Sequence, residues 1–389
     1  MFKGILITTG LLLLLVLAGF WIYLLFFGTP QSVRQIFTNF GQNEPAERPL
    51  TNESVLDPDQ LDISKATLEQ LTTRPVAGYI STGEVLLYAE RGTGHVYRID
   101  FNTGLEERVQ SVTLAKTVGA IFSGEGDSVI LVSESEALLR ASFYEINGEN
   151  DTGLDLPPNS ANYTLIGSTT ILYTRVISNN TVAYSFDKES LLTKELWRIP
   201  LTDVNVYFVS GKTFVVNRPS AMLRGAVYEV VNGELVRRTA PQLALTAKIS
   251  PDGQALIYNY YNAPNKSLLS EFVDLASKEV IEAPLTVVPE KCGFAENGRL
   301  WCGESDIFSL GRQSIISDWY KGTATSDDQL WEVATREGQA IMRLDLKEES
   351  GFVIDTIDLE VSPDGKRIFF VNKLNDTLWM YRMPKSSSQ

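Results

Sequence analysis

The sequence predicts an all-β protein, a seven-bladed β-propeller of four-stranded antiparallel blades preceded by one transmembrane helix. Three observations predict it: turn glycines recur at a nearly fixed period, matching short strands follow the turns, and the N-terminus holds a long uncharged run. At 389 residues with 44% apolar content, the chain is large enough to bury an extensive core.

Seven glycines mark the repeat. Each precedes an apolar or aromatic run, and the intervals between them are 43, 41, 44, 42, 45 and 67 residues. The last interval therefore holds an insertion of about 25 residues beyond the period. Periods in the 40s are typical of propeller blades and of two-helix arrays, but these runs are short, β-branched and aromatic, which favours strands. The glycines are Gly83, Gly126, Gly167, Gly211, Gly253, Gly298 and Gly365.

A second element repeats with the same period. It is a short strand in which an apolar or aromatic pair precedes a polar residue, and a further turn and strand usually follow it. About four strands per period result, and such small sheets gain stability only by stacking around an axis. The repeated strands lie at 96–100, 143–147, 196–200, 227–231, 272–276, 341–345 and 378–382.

Two turns have the same sequence, Ser-Pro-Asp-Gly, at 250–253 and 362–365. Proline fixes φ, aspartate bonds to nearby backbone and glycine takes the left-handed position, so we interpret Asp252 and Asp364 as structural. The stretches 248–261 and 360–373, with the later Leu-Trp or Val-Tyr strands, resemble the WD40-like (PD40) repeats of bacterial TolB-like propellers and the propeller of dipeptidyl peptidase IV-like proteins. The resemblance covers about 310 residues and is specific only at these two stretches.

The chain departs from both families. TolB-like proteins carry a mixed α/β domain before the propeller, and residues 28–66 are too short and too polar for one. Dipeptidyl peptidase-like members carry an α/β-hydrolase domain, whereas the repeats here extend almost to the last residue, no Gly-x-Ser-x-Gly occurs and His95 is the only histidine. The sequence therefore predicts no serine triad.

The two ends of the repeat region predict ring closure. The last blade lacks an outer strand after 378–382, while "TLEQLTTRPVAG" at 67–78 resembles the outer strand of a TolB-like repeat. We expect segment 67–73 to pair with 378–382 and so cover an exposed sheet edge. The predicted organisation is a signal-anchor helix at 1–28, a polar linker at 29–66, the propeller at 67–384 and a tail at 385–389.

The N-terminus predicts membrane attachment. The run from Gly4 to Phe27 holds 24 residues without charge, enough to cross the bilayer as a helix, with Trp21 and Tyr23 as interfacial anchors. A cleaved signal peptide is the main alternative and a buried core helix a weaker one. The charge bias around the run is slight and favours a cytoplasmic N-terminus with the propeller outside the cytoplasm.

The two cysteines lie in one predicted hairpin, "EKCGFAENGRLWCG". If its loop is 296–298 with Gly298 left-handed, Cys292 faces Cys302 in a non-hydrogen-bonded pair, where side chains approach most closely. We predict a cross-strand disulfide, which agrees with an extracytoplasmic location. Two buried thiols are the alternative, and a zinc site lacks ligands.

Charge and the remaining polar motifs limit the possible chemistry. The formal charge of −14 and the dispersed Lys and Arg residues argue against nucleic acid. His95 is interpreted as a turn-packing residue. The acidic stretches at 57–62 and 147–155 lack the spacing of a calcium loop. We therefore expect no metal, no cofactor and no catalytic residues.

The blade-six insertion, Glu304–Gln329, is the candidate binding segment. Long loops on rigid scaffolds commonly carry binding sites, and this one contains "SDWYKG". Asp318, Trp319, Tyr320 and Lys321 are the candidate partner-binding residues. The alternative is that the two aromatics only cap an exposed blade edge.

Two functions fit these features. The first is a membrane-anchored, extracytoplasmic, non-catalytic protein-binding scaffold or envelope assembly module. The second is a glycan-binding or glycan-cleaving propeller, for which an aromatic shelf beside paired carboxylates at the channel mouth is the expected mark. A polar channel with an exposed apolar patch favours the first.

Overall fold

The structure is a computed structural model that describes residues 68–135, 138–146, 153–295, 298–309 and 311–383. The predicted membrane-spanning run, the linker and the C-terminal tail lie outside the described residues. Within them, no helix is long and apolar enough to cross a membrane.

The described strands form seven antiparallel sheets, which are the blades. Blade one contains β2 (Val76–Ser81), β3 (Val85–Glu90), β4 (Val96–Asp100) and β5 (Glu106–Gln110); blade two β6 (Thr117–Phe122), β7 (Ser128–Ser135), β8 (Leu138–Glu145) and β9 (Leu154–Asp155); blade three β10 (Ser160–Ile166), β11 (Thr170–Ile177), β12 (Asn180–Asp187) and β13 (Leu192–Ile199); blade four β14 (Val204–Val209), β15 (Lys212–Asn217), β17 (Val227–Val231) and β18 (Glu234–Arg237).

The remaining blades follow the same order. Blade five contains β19 (Gln242–Ile249), β20 (Ala255–Asn262), β21 (Ser267–Asp274) and β22 (Val280–Glu282), with the two-residue β16 (Arg224–Gly225) beside β19; blade six β23 (Cys292–Phe294), β24 (Arg299–Glu304), β25 (Gln329–Ala334) and β26 (Gln339–Asp345); blade seven β27 (Thr356–Val361), β28 (Arg367–Asn372), β29 (Thr377–Arg382) and the N-terminal β1 (Leu68–Gln70). The prediction of seven blades is confirmed.

The ring closes through blade seven. Strand β1 pairs antiparallel with β29, with Leu68 opposite Tyr381 and Gln70 opposite Trp379. This is the predicted pairing of the two ends of the repeat region. Each pair of neighbouring blades, including seven and one, shares one buried hydrophobic cluster. The core is thus a ring of seven interfaces, and each blade buries its apolar faces against its two neighbours.

The predicted turn chemistry is present. All seven repeat glycines have positive φ, between 57° and 87°. Both Ser-Pro-Asp-Gly turns make the same bonds: the serine hydroxyl donates to the aspartate two residues on and accepts from a backbone N–H five residues on. The repeated sequence therefore encodes one repeated local structure.

The predicted repeated strands fall on two positions. In five blades they are the third strand, whereas 196–200 and 341–345 overlap β13 and β26, the fourth strands of blades three and six. The actual third strands there, β12 and β25, have similar apolar-aromatic patterns. The repeat pattern alone does not distinguish the third strand from the fourth in these two blades.

The propeller has two faces. The turn face carries the seven glycine turns and the turns between third and fourth strands. The loop face carries the blade-to-blade connections and those between second and third strands. The short helices of the described residues lie in loop-face connections: the 3-10 helices η1 (Pro289–Lys291) and η2 (Asp306–Phe308), and α1 (Ile315–Tyr320) and α2 (Leu346–Ser350). Both ends of the described chain lie on the turn face, since β1 begins and β29 ends there.

Candidate functional site

The cysteine hairpin has the predicted register and forms the predicted disulfide. Cys292 lies opposite Cys302, their Cα atoms are 4.1 Å apart, and the two are joined. Ala295 N donates to Arg299 O at 2.9 Å, and Gly298 has φ +77°. This covalent link joins β23 to β24 at the loop-face end, directly beside the blade-six insertion.

The insertion is a folded segment on the loop face of blade five. Helix α1 presents Ile315, Ile316 and Trp319 on one side, as positions i, i+1 and i+4 require. These side chains and Phe308 pack against a buried patch of blade five that contains Tyr261 and Leu268. The result is an eighth hydrophobic cluster, outside the ring of seven.

The insertion also reaches blade four. The hydroxyl of Ser317 accepts from Ala221 N at 3.3 Å, and the side-chain amide of Gln313 donates to Ala221 O. The loop of blade four and helix α1 are therefore one continuous surface across three blades.

A buried ionic network holds the base of the insertion. The ammonium of Lys291, fully buried, donates to Asp328 Oδ2, Asp355 Oδ1 and Ser326 Oγ, each at 2.6 Å. Trp319 Nε1 donates to Asp355 at 2.9 Å and 3.0 Å to its two oxygens. Lysine and aspartate are rarely fully buried unless paired, and the pairing here ties η1, the insertion and the start of blade seven together.

Two carboxyl groups at this network have pKa values shifted in opposite directions. Burial alone opposes ionisation of Asp355, but the Lys291 ammonium and the hydrogen bonds from Lys291, Trp319 and Ser326 hold its pKa below the usual value. Glu304 lies at the edge without such donors, so burial, with Asp306 and Asp328 nearby, raises its pKa to about 7. Asp328 Oδ1 is buried without a hydrogen-bond partner among the described residues.

Trp319 is the centre of the network. Its ring centroid lies 5.2 Å from Lys291 Nζ and 4.2 Å from Lys373 Nζ, and the Lys373 ammonium also donates to Trp319 O. Cation–π contact of this kind is strongest when desolvated. Trp319 is 2% exposed, so its ring is a structural element of the insertion.

The four predicted partner-binding residues therefore have different surroundings, since Trp319 is buried and Tyr320 and Lys321 are exposed. Asp318 accepts from Ser314 and pairs with Arg312 at 3.4 Å. Tyr320 is 39% exposed and donates from its hydroxyl to Glu290, and Lys321 is exposed. Partner binding at this segment stays a prediction, carried by Tyr320 and Lys321 on the surface that Trp319 supports.

Sequence reasoning missed Lys291, Asp328 and Asp355. Asp328 and Asp355 follow Lys291 by 37 and 64 positions, so no local motif joins the three residues. Each of the three directly precedes a strand in the structure, β23, β25 or β27.

Exposed apolar side chains occur on both faces, among them Leu105, Leu191 and Leu192 on the turn face, and on the loop face they occur in three consecutive blades. In blade two Leu138 and Leu139 are 51% and 49% exposed, in blade three Val176 is 57% exposed, and in blade four Met222 and Leu223 are 83% and 71% exposed. The last two follow Ala221, which contacts the insertion. We call these five residues the apolar rim.

The other polar positions considered in the sequence contact neighbouring side chains of the propeller where they are described. His95 is half-buried, with Nε2 2.9 Å from Thr113 Oγ1 and Nδ1 3.7 Å from Glu90. Of the acidic stretches, 57–62 and 147–152 lie outside the described residues, and Asp155 accepts from Ser142 at 2.6 Å. In the part of the chain that the structure describes, no group of three or more His, Cys, Asp or Glu residues is placed to hold a metal ion.

Comparison with known proteins shows the fold alone. No family model matches the chain, and no curated protein matches it. Among solved structures, the chain is similar to an oligogalacturonate lyase from Vibrio parahaemolyticus, with 11% identity, a TM-score of 0.56 and coverage of 82% of this chain and 94% of that one.

Two further structures have the same architecture. The β-propeller domain of Cps50 (Swd1) from Myceliophteria thermophila gives 8% identity, a TM-score of 0.55 and coverage of 82% and 100%. The propeller domain of the trilobed protease from Pyrococcus furiosus gives 10% identity, a TM-score of 0.54 and coverage of 81% of this chain and 99% of that one. The chain is a seven-bladed β-propeller, and proteins with different functions share that fold.

Proposed function

We propose that this chain is a membrane-anchored extracytoplasmic propeller that binds a protein partner with its loop face, as a non-catalytic scaffold or envelope assembly module of the TolB-like, PD40-repeat kind. The apolar rim carries the proposal. Exposed apolar side chains on neighbouring elements of one face are a feature of protein-binding surfaces, because water leaves them on docking.

The rest of the loop face supports the same role. The insertion joins the rim at Ala221 and adds the exposed Tyr320, and tyrosine contributes large contact area at low entropic cost. The first residue of β1, Leu68, lies opposite Tyr381 near the end of β29, on the turn face. The uncharged N-terminal run and the disulfide support the membrane and extracytoplasmic parts of the proposal.

A glycan-binding or glycan-cleaving role is the alternative. The likeness to an oligogalacturonate lyase is one of fold at 11% identity and adds no weight to that role.

The test compares the two faces in native membranes. A photocrosslinking side chain replaces Met222 on the loop face or Leu192 on the turn face, which are 83% and 69% exposed. The proposal predicts a discrete crosslinked protein from position 222 and none from position 192. Equal labelling from both positions, or from 192 alone, contradicts it.

A matched pair of variants measures the same contrast without a crosslinker. Met222→Ser with Leu223→Ser removes two rim residues, and Leu191→Ser with Leu192→Ser removes two exposed leucines from the turn face. Partner recovery should fall about tenfold or more with the first pair only, as expected for loss of central apolar contacts.

A further inference from the structure

A groove of about 880 Å³ opens on the turn face between blades five and six. Its walls are the turns that join the first and second strands and the third and fourth strands of these two blades. Phe272 and Ile281, opposite each other on β21 and β22, line it from blade five, and Phe294 lines it from blade six. The volume is in the range of ligand sites, and the deep part of the lining is apolar.

Two other blade junctions are bridged by a side chain at the equivalent place. Lys212 of blade four donates from Nζ to Gly253 O of blade five at 2.8 Å. Arg367 of blade seven donates to Gly83 O of blade one at 3.2 Å. Gln254 follows the turn glycine of blade five as Lys212 follows that of blade four, and its hydrogen bonds to described residues are made by its backbone alone. The groove is therefore a junction that the described side chains leave unbridged.

The two walls of the groove carry opposite charge. Blade five contributes the exposed carboxylates of Asp252, Asp274 and Glu279. Among the described residues that line the groove, Arg336 of blade six is the only basic one. Hydrogen bonds from Ser277 N and the neighbouring backbone hold the pKa of Asp274 below its usual value, so this carboxyl stays ionised. Three carboxylates against one guanidinium give the groove a net negative charge.

An apolar lining between charged walls restricts the class of occupant. A phosphate-bearing ligand is repelled by the blade-five wall, and a lone metal ion gains nothing from the rings of Phe272 and Phe294. A peptide segment satisfies both features, because one bulky side chain covers the apolar lining while a neighbouring ammonium or guanidinium faces the carboxylates. Charge complementarity therefore favours a basic segment with an apolar anchor.

We propose that this groove is a second docking site, for a protein segment that places a bulky apolar side chain between blades five and six with a lysine or arginine beside it, against blade five. The groove lies on the face opposite the apolar rim, so the site is separate from the loop-face partner and does not depend on it. Burial of the apolar side chain supplies affinity, and the charges select the basic flank. The net charge of −14 adds long-range attraction for a basic segment.

The test is photoaffinity labelling of the full-length protein in detergent. The probe is the peptide acetyl-Gly-Lys-Bpa-Lys-Gly-amide, in which Bpa is p-benzoylphenylalanine, and the same peptide with phenylalanine in its place is the competitor. Wild type should be labelled saturably, and mass spectrometry should place the label on residues that line the groove. The peptide with glutamate in place of lysine should label about tenfold less, because the blade-five wall repels it.

Three variants should change the half-saturating concentration in different directions. Ile281→Ser should raise it about tenfold, since it removes apolar contact. Glu279→Gln should raise it about threefold and Arg336→Gln should lower it about threefold, as expected for exposed charge pairs. Glu234→Gln, in the matching outer turn of blade four, is the control and should leave it unchanged. Thermal melts verify folding, and the exposed positions 279 and 336 decide the outcome if Ile281→Ser unfolds.

Each other result overturns the proposal. Absence of saturable labelling of wild type, or labelling away from the groove, rejects the site. Equal labelling by the glutamate peptide shows that charge does not select the occupant, and equal weakening by Glu234→Gln assigns the effect to overall charge. Competition by phenethylamine at the concentration at which the peptide competes identifies a site for a small amine instead.

Discussion

On the turn face, the chain reverses through short turns that bond to themselves, whereas on the loop face the blade-six insertion is held by side chains from three distant segments. Gly253 and Gly365 close the same four-residue turn with the same serine and aspartate bonds. Lys291, Asp328 and Asp355 meet across 37 and 64 positions. The comparison teaches that the repeat specifies the scaffold locally, while the distinctive surface depends on non-local burial.

Trp319→Ala should cause the largest loss of stability in the blade-six insertion. It empties a site that is 2% exposed and removes the donor to Asp355, so we expect a loss of about 3–5 kcal/mol in the free energy of unfolding. Denaturant unfolding measures it. The neighbouring Tyr320→Ala is the control and should cost no more than about 1 kcal/mol. Similar losses for both would place Tyr320 in the core as well.

Removal of the disulfide should have the next largest effect. Cys292→Ser with Cys302→Ser should lower the free energy of unfolding by about 2–3 kcal/mol, because the closed loop is short. The intact mass of wild type should rise by two hydrogen atoms on reduction. An unchanged mass would show that the bond is absent in the isolated protein.

Glu304→Gln tests how the buried Glu304 carboxyl, at the edge of the ionic network, changes stability with pH. The folded pKa of about 7 lies above the usual 4.5, so the folded state binds the extra proton and stability falls as pH rises between those values. The variant should therefore be more stable than wild type at pH 8, by on the order of 2 kcal/mol, and nearly equal at pH 4. Glu125→Gln is the exposed control. A gain that does not depend on pH would contradict the assignment.

Much of the scaffold follows from sequence, and the reason is physical. Gly298 and the two cysteines fix a hairpin register by counting, and Pro-Asp-Gly encodes its turn within four residues. The role of Trp319 was different. Its burial depends on Tyr261 and Leu268 of another blade and on a lysine before the insertion, none of which a local pattern reveals. The same tryptophan fits an exposed anchor or a buried core equally well until the partners are known.

Gly365→Ala has the smallest expected effect and tests the local rule. Its φ is +67° and no atom lies within 4 Å of an added Cβ, so only backbone strain opposes the change, at about 1 kcal/mol. Gly124→Ala is the control, since its added Cβ is equally free and its φ is not left-handed. If Gly124→Ala costs as much as Gly365→Ala, left-handed strain is not the cause.

Hydrogen–deuterium exchange of wild type and Lys291→Met tests the central claim most directly, namely that a buried network folds the insertion onto the propeller. In wild type, amides of 315–328 should be protected, because Asp318 N, Thr323 N and Asp328 N are bonded at 2.8, 2.9 and 3.0 Å. The variant leaves two buried carboxylates without their cation, at a cost of about 3–5 kcal/mol, so protection of 315–328 should fall while that of 76–90 persists. Rapid exchange of 315–328 in wild type, or equal protection in both proteins, would contradict the account.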